Sequence, residues 1–188
     1  MFASVVAYAV MSFIMTAAPV NMHIMDHHSM ETATWVIQSH VLAMFLPSLV
    51  TGRVVDRFGE RSVMLWGGAL MAACVAVSAS GHQVMHYWWG LVLLGVGWNL
   101  LFVAGTTLLT RSCQGPGRYR AQAINDFTVF GSQACASLLA GLAVQQLGWT
   151  LLNLATLPLI AAMMIGAMRL RVRTAPAAAA AESVQRAS

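Results

Sequence analysis

The chain has 188 residues, 59% of them hydrophobic and only 9% charged. Soluble globules usually carry about 25% charged residues, so that class is excluded and a bilayer is the solvent the composition fits. The net charge of +4 comes from ten arginines with no lysine. They are divided among short stretches and form no aromatic-interleaved basic domain, which excludes a nucleic-acid partner. Cys74, Cys113 and Cys135 have no CxxC spacing, so no disulfide framework or closed zinc site is implied.

Six apolar runs long enough to cross the hydrocarbon core follow in order, at about 2–24, 33–51, 63–80, 86–110, 121–146 and 149–168. The expected fold is an all-α integral membrane bundle of six transmembrane helices over 1–173, then a disordered cytoplasmic tail, 174–188. No basic n-region precedes the first run, so no cleaved signal is expected. The arginines fall between alternate runs, as Arg53, Arg57 and Arg61, then Arg111, Arg118 and Arg120, then Arg169, Arg171, Arg173 and Arg186. Because cytoplasmic loops collect arginine, both termini are expected in the cytoplasm of a multi-pass protein of the bacterial inner membrane. Trp35, Trp88, Trp89 and Trp149 mark the opposite interface, with Trp66 near the inner one. Gly131 with Cys135, and Ser137 with Gly141, give the fifth helix a small-residue face expected to pack. Pro47 and Pro158 each delete one backbone donor and should kink the second and sixth helices.

The loop after the second run reads Gly52-Arg53-Val54-Val55-Asp56-Arg57-Phe58-Gly59-Glu60-Arg61. It resembles the G-x-x-x-D-R-x-G-x-R signature of the major facilitator superfamily, transporters built from two six-helix halves. The resemblance implies a cytoplasmic gating loop made by Gly52, Asp56, Arg57, Gly59 and Arg61, with Asp56 accepting helix-end amides of an opposite half. Gly117-Arg118-Tyr119-Arg120-Ala121 looks like the weaker counterpart two helices later. Gly97-Trp98-Asn99-Leu100-Leu101-Phe102-Val103 and Gln122-Ala123-Ile124-Asn125-Asp126-Phe127 are similar to carboxy-terminal halves of one bacterial branch. The expectation is therefore half of a twelve-helix fold, completed by a missing amino-terminal half or a second copy.

Met11 and Met15 share one face of the first helix, and His40 and Met44 one face of the second, each pair at i,i+4. All four lie near the expected midplane, where thioether and imidazole suit Cu(I) without burying a negative charge. The same spacing also serves plain helix packing. The M-x-x-x-M and H-x-x-x-M patterns resemble the CcoA-like copper transporter family, which implies copper import with these residues as ligands; a sister branch is associated with riboflavin. Copper is thus expected as transported ion, not cofactor, with riboflavin or another small organic solute as the alternative.

Between the first two runs, Met22, His23, Met25, His27 and His28 offer an outer metal-collecting cluster, or simply a polar connection. Asp126, in the fifth run, is read as a coupling acid or as a gate brace with Arg118 and Arg120. Asn99 and Gln133 line a cavity or bond across helices. His40 and Asp126 would be the candidate pair for an enzyme, but their depths differ. The chain also has no H-E-x-x-H, G-x-S-x-G or P-loop, so no enzyme is expected. A third class remains, a non-transporting half that only binds a partner.

Overall fold

A computed structural model describes residues 1–112 and 117–170. The expected tail lies outside these, as do Cys113, Arg171, Arg173 and Arg186. The described chain is helical throughout: α1 (Phe2–Val20), a π-helical turn (Asn21–Met25), α2 (Met30–Phe45), α3 (Ser48–Ala79), α4 (Val84–Ser112), α5 (Arg118–Leu154) and α6 (Leu157–Arg169). Four helical runs, Phe2–Met25, Ser48–Ala79, Val84–Ser112 and Arg118–Arg169, are long and apolar enough to cross a membrane.

These boundaries differ from six separate spans, for local reasons. Pro47 has no N–H, so the run expected at 33–51 divides there into α2 and the start of α3. That run also begins earlier than its apolar residues, because the Ser29 hydroxyl accepts from the Thr32 amide at 3.1 Å and caps α2. Inside α3, Gly59 breaks the helix with φ +79°, and inside α5 Gly148 does so with φ +71°. Both angles lie in the left-handed region that favours glycine. The run expected at 149–168 also divides, at Ala155–Thr156 between α5 and α6, and Pro158 stands just after this break in the first turn of α6, where a missing donor is harmless.

Helix α4 is the centre of the bundle, packed most extensively on α3 and then on α2 and α1. Its interior stripe, Tyr87, Leu91, Leu94, Trp98, Leu101 and Gly105, alternates steps of four and three, which keeps one face inward along the whole helix. Lipid tails are as apolar as leucine, so close approach and hydrogen bonding hold membrane helices together. Gly67 and Gly97 provide that approach between α3 and α4. A Cβ on either would stand 2.9 Å from the other's carbonyl oxygen.

Two sequence expectations change here. Gly131 and Gly141 have nothing within 4 Å of a would-be Cβ, so these two glycines of the small-residue set are open, whereas Ser137 meets Thr16 of α1. Trp149 is no interfacial anchor; it is buried against Tyr87, with ring centroids 4.8 Å apart, and its indole N–H donates to the Ser78 carbonyl at 3.0 Å. Trp35 and Trp88 do stack on each other, at 5.8 Å.

Candidate functional site

At the arginine-bearing end, Gly59 places Asp56 and Glu60 on either side of the break in α3. Arg111, in the last turn of α4, donates Nη2 to Asp56 Oδ1 at 2.7 Å and Nη1 to Glu60 Oε1 at 2.6 Å. The Asp56 side chain is exposed and that of Glu60 buried, so one planar guanidinium joins a wet carboxylate to a dry one across the turn. Asp56 is therefore engaged within this chain. Glu60 and Arg111 were not singled out from sequence, although Glu60 stands inside the loop signature and Arg111 directly follows an apolar run. Gly52 makes no turn, because it lies within the helical start of α3. Arg53, Arg57 and Arg61 are exposed, and the Arg57 guanidinium carbon sits 5.4 Å from the Phe58 ring centre.

Midway along the bundle, Asn99 repairs the break at Pro47. Its Nδ2 donates to the Met44 carbonyl at 2.8 Å and to the Ser48 hydroxyl. The Thr51 hydroxyl lies 2.7 Å from Asn99 Oδ1 and 2.8 Å from the Pro47 carbonyl, so its one proton is shared. Asn99 is buried as an interhelical brace rather than presented to a cavity. Gln133 is half-buried on α5.

Of the four expected ligands, Met11, His40 and Met44 are buried and Met15 is half-buried. His40 Nδ1 is 2.7 Å from the Leu91 carbonyl. A carbonyl only accepts, so Nδ1 carries the proton and Nε2 of the neutral ring is a lone pair; it has no partner. Ser12 donates weakly to the Met11 sulfur at 3.9 Å. Helices α1 and α2 touch far less than either touches α4. Among the described residues no group of three or more His, Cys, Asp or Glu side chains is placed to hold a metal ion.

A feature the sequence reading missed lies beside Asn99. Five aromatic rings from four helices meet: Tyr8 of α1, Phe45 of α2, Trp98 and Phe102 of α4, and Phe130 of α5. Trp98 and Phe102 are stacked, 5.2 Å apart and 11° from parallel. Tyr8 sets its edge against Trp98, Phe102 and Phe130 at 5.1, 5.3 and 5.9 Å, and Phe45 meets Trp98 at 6.1 Å. Trp98 is 3% exposed, whereas Phe45 and Phe130 are 61% and 58% exposed. The available signal was Trp98 and Phe102 at i,i+4; the other three rings are remote in sequence.

Asp126 lies on the same side of α5. It is exposed, accepts from Asn125 Nδ2 at 3.1 Å, and makes no ion pair with Arg118 or Arg120 among the described residues. Those arginines precede it by eight and six residues, about 12 and 9 Å of helix rise, which is too far for a direct brace. Further out along the α1–α5 seam, the Thr16 and Ser137 hydroxyls bond at 3.2 Å.

At the opposite end, two of the residues read as a metal collector, His23 and His28, are held in a hydrogen-bonded knot. Asp26 Oδ2 accepts from the Tyr87 hydroxyl, from His82 Nδ1 at 3.1 Å and from Asn21 Nδ2 at 3.2 Å. His28 Nε2 donates to the His82 carbonyl at 2.9 Å, and His23 Nδ1 to the His28 carbonyl at 3.0 Å. His27, at φ +57°, turns the chain between the π turn and α2. Met22 is buried in the core and Met25 is exposed. The knot ties the α1–α2 connection to the α3–α4 turn.

The description Major Facilitator Superfamily covers a family profile that matches residues 1–187. The riboflavin transporter RfnT of Brucella anthropi is 41% identical over 182 residues, covering 96% of this chain and 44% of that protein. The uncharacterized MFS-type transporter YddS of Bacillus subtilis is 35% identical over 153 residues, 80% of this chain and 35% of its own length. The methylenomycin A resistance protein of Bacillus subtilis is 28% identical over 148 residues, 77% of this chain and 31% of its own length. The chain thus spans less than half the length of these curated relatives. With apolar helices of crossing length and a profile match from end to end, it is a multi-pass membrane protein that belongs to the Major Facilitator Superfamily.

Proposed function

We propose that this chain is one half of a solute transporter and that its cargo is riboflavin or a closely similar small organic molecule. The observation that carries this reading is the 41% identity to a riboflavin transporter across nearly the whole chain. In this reading Gly59 and Gly148 are reversals, so the polypeptide crosses the bilayer six times. The other half, from the rest of the same polypeptide or a second copy, covers the face on which Phe45 and Phe130 stand exposed. The two halves rock so that the site faces each side in turn, with no covalent chemistry. The Arg111–Asp56–Glu60 clamp steadies the cytoplasmic end, both termini face the cytoplasm, and the host is a bacterial inner membrane.

Copper is the second reading. It rests on the unpartnered His40 Nε2 near the buried Met44 on α2, with Met11 buried on α1. One experiment separates the two. The complete open reading frame containing this chain is expressed in a bacterium that cannot make riboflavin, and uptake of tritiated riboflavin and accumulation of copper are measured in parallel. Riboflavin uptake at least fivefold above vector, with copper unchanged, is expected. Copper accumulation abolished by His40→Ala, with no riboflavin uptake, would replace the first reading with the second.

A further inference from the structure

We infer that the five-ring cluster of Tyr8, Phe45, Trp98, Phe102 and Phe130 is the surface that receives the planar ring of a heteroaromatic solute. The α1–α5 seam beside it would take the solute's hydroxyl-bearing chain. The inference rests on the organic-solute reading above and gives it a location.

The first argument is energetic. In lipid, aromatic rings gain nothing by leaving the hydrocarbon, so a convergence of five rings from four helices is not a consequence of solvent exclusion. It is a graded surface. Trp98 is buried at its base, Tyr8 and Phe102 are half-buried, and Phe45 and Phe130 stand open at the rim. A flat conjugated ring matches such a surface because stacking and edge-to-face contacts need planar partners, and they tolerate many ring identities.

The second argument is polar. Trp98 Nε1 is buried without a hydrogen-bond partner, and so is Asn125 Oδ1 on α5. Buried polar groups are nearly always satisfied, and an unsatisfied one calls for an explanation. An indole N–H needs an acceptor and an amide oxygen needs a donor. The rim of a flavin-like ring carries both, as carbonyl oxygens, ring nitrogens and an imide N–H. Along the same seam Thr16 and Ser137 supply hydroxyls on the outward side and Asp126 a carboxylate on the inward side, groups suited to a polyhydroxylated chain.

The test uses the complete open reading frame in native membranes, with riboflavin binding followed by quenching of its own fluorescence. Phe45→Leu and Phe130→Leu keep the apolar volume at exposed positions and remove the rings. Phe127→Leu, 83% exposed and outside the cluster, is the control. Each ring-removing variant is expected to weaken binding tenfold or more and the control less than twofold, with equal amounts of protein in the membrane. Trp98→Phe, which keeps a ring and deletes the N–H, is expected to weaken binding three- to tenfold. Binding by the parent that both leucine variants leave unchanged would overturn the ring-site inference and leave the riboflavin reading standing. If the parent ignores riboflavin but binds lumichrome, and the variants lose it, the ring site holds and the riboflavin reading falls. No binding of either compound by the parent would overturn both.

Discussion

A single amide side chain closes a gap that proline opens in the middle of this bundle. Pro47 cannot donate, the helix divides, and Asn99 reaches over from α4 to bond the Met44 carbonyl and the Ser48 hydroxyl while facing Thr51. Leaving such buried groups unsatisfied costs about 1–3 kcal/mol each, although single interhelical hydrogen bonds in membranes average only about 0.6 kcal/mol. Asn99→Leu is therefore expected to destabilise the protein by about 1–3 kcal/mol, read as a lower midpoint of heat-induced aggregation in detergent. Thr51→Val, which removes only the shared hydroxyl, should cost about 1 kcal/mol or less. Equal midpoints for Asn99→Leu and the parent would show that Asn99 does not hold the break. Sequence alone marked Asn99 as a polar residue within an apolar run, which is a depth argument. Its partners are 48 to 55 residues away, and no spacing rule reaches that far. The same limit applies to Glu60 and Arg111, whose pairing is set by how α4 lies on α3.

Glycines show what helical spacing can and cannot reveal at the scale of elements. Gly131 and Gly141 have the i,i+4 small neighbours that favour helix contacts, yet each faces open space, while Gly67 and Gly97, on different helices, stand backbone to backbone. Spacing identifies a face able to be approached; which neighbour approaches depends on packing order, and α5 has most of its contacts with α1. A methyl at Gly97 would lie 2.9 Å from the Gly67 carbonyl and 3.2 Å from the Met71 amide nitrogen, atoms that cannot rotate away. Gly97→Ala is expected to cost about 1–3 kcal/mol through overpacking. Gly131→Ala should be neutral, or stabilising by up to about 1 kcal/mol through helix propensity. Thermal denaturation of the two purified variants in one detergent checks the order, and a reversed order would contradict the α3–α4 contact. Apolar run length, by contrast, was legible. Every expected run is largely helical in the structure, and the departures sit at Ser29, Pro47, Gly59, Gly148 and the Ala155–Thr156 break before Pro158, where caps, prolines and left-handed glycines set boundaries that hydrophobicity does not report.

Among the described residues, the arginines and the loop histidines separate to opposite ends of the bundle. Arg53, Arg57 and Arg61 flank the Gly59 break, Arg111 ends α4, Arg118 and Arg120 open α5, and Arg169 ends α6. The knot of Asp26, His28, His82 and Tyr87 gathers where α1 meets α2 and α3 meets α4. A guanidinium at the bilayer centre costs about 2.5–3.5 kcal/mol on insertion scales, so this segregation favours one orientation, and the proposal above puts the arginine end in the cytoplasm. Cysteine labelling tests this directly once Cys74, Cys113 and Cys135 are replaced. Gln83→Cys is exposed in the α3–α4 turn, and Tyr119→Cys, at a position 80% exposed, lies in the first turn of α5. A membrane-impermeant maleimide applied to intact spheroplasts is expected to label Gln83→Cys within minutes and Tyr119→Cys only after permeabilisation. The reverse pattern would invert the orientation and turn the Arg111 clamp into an outer gate. Labelling of both from outside would mean that the two ends of the bundle do not lie on opposite sides of the membrane, which no alternating-access transporter could tolerate.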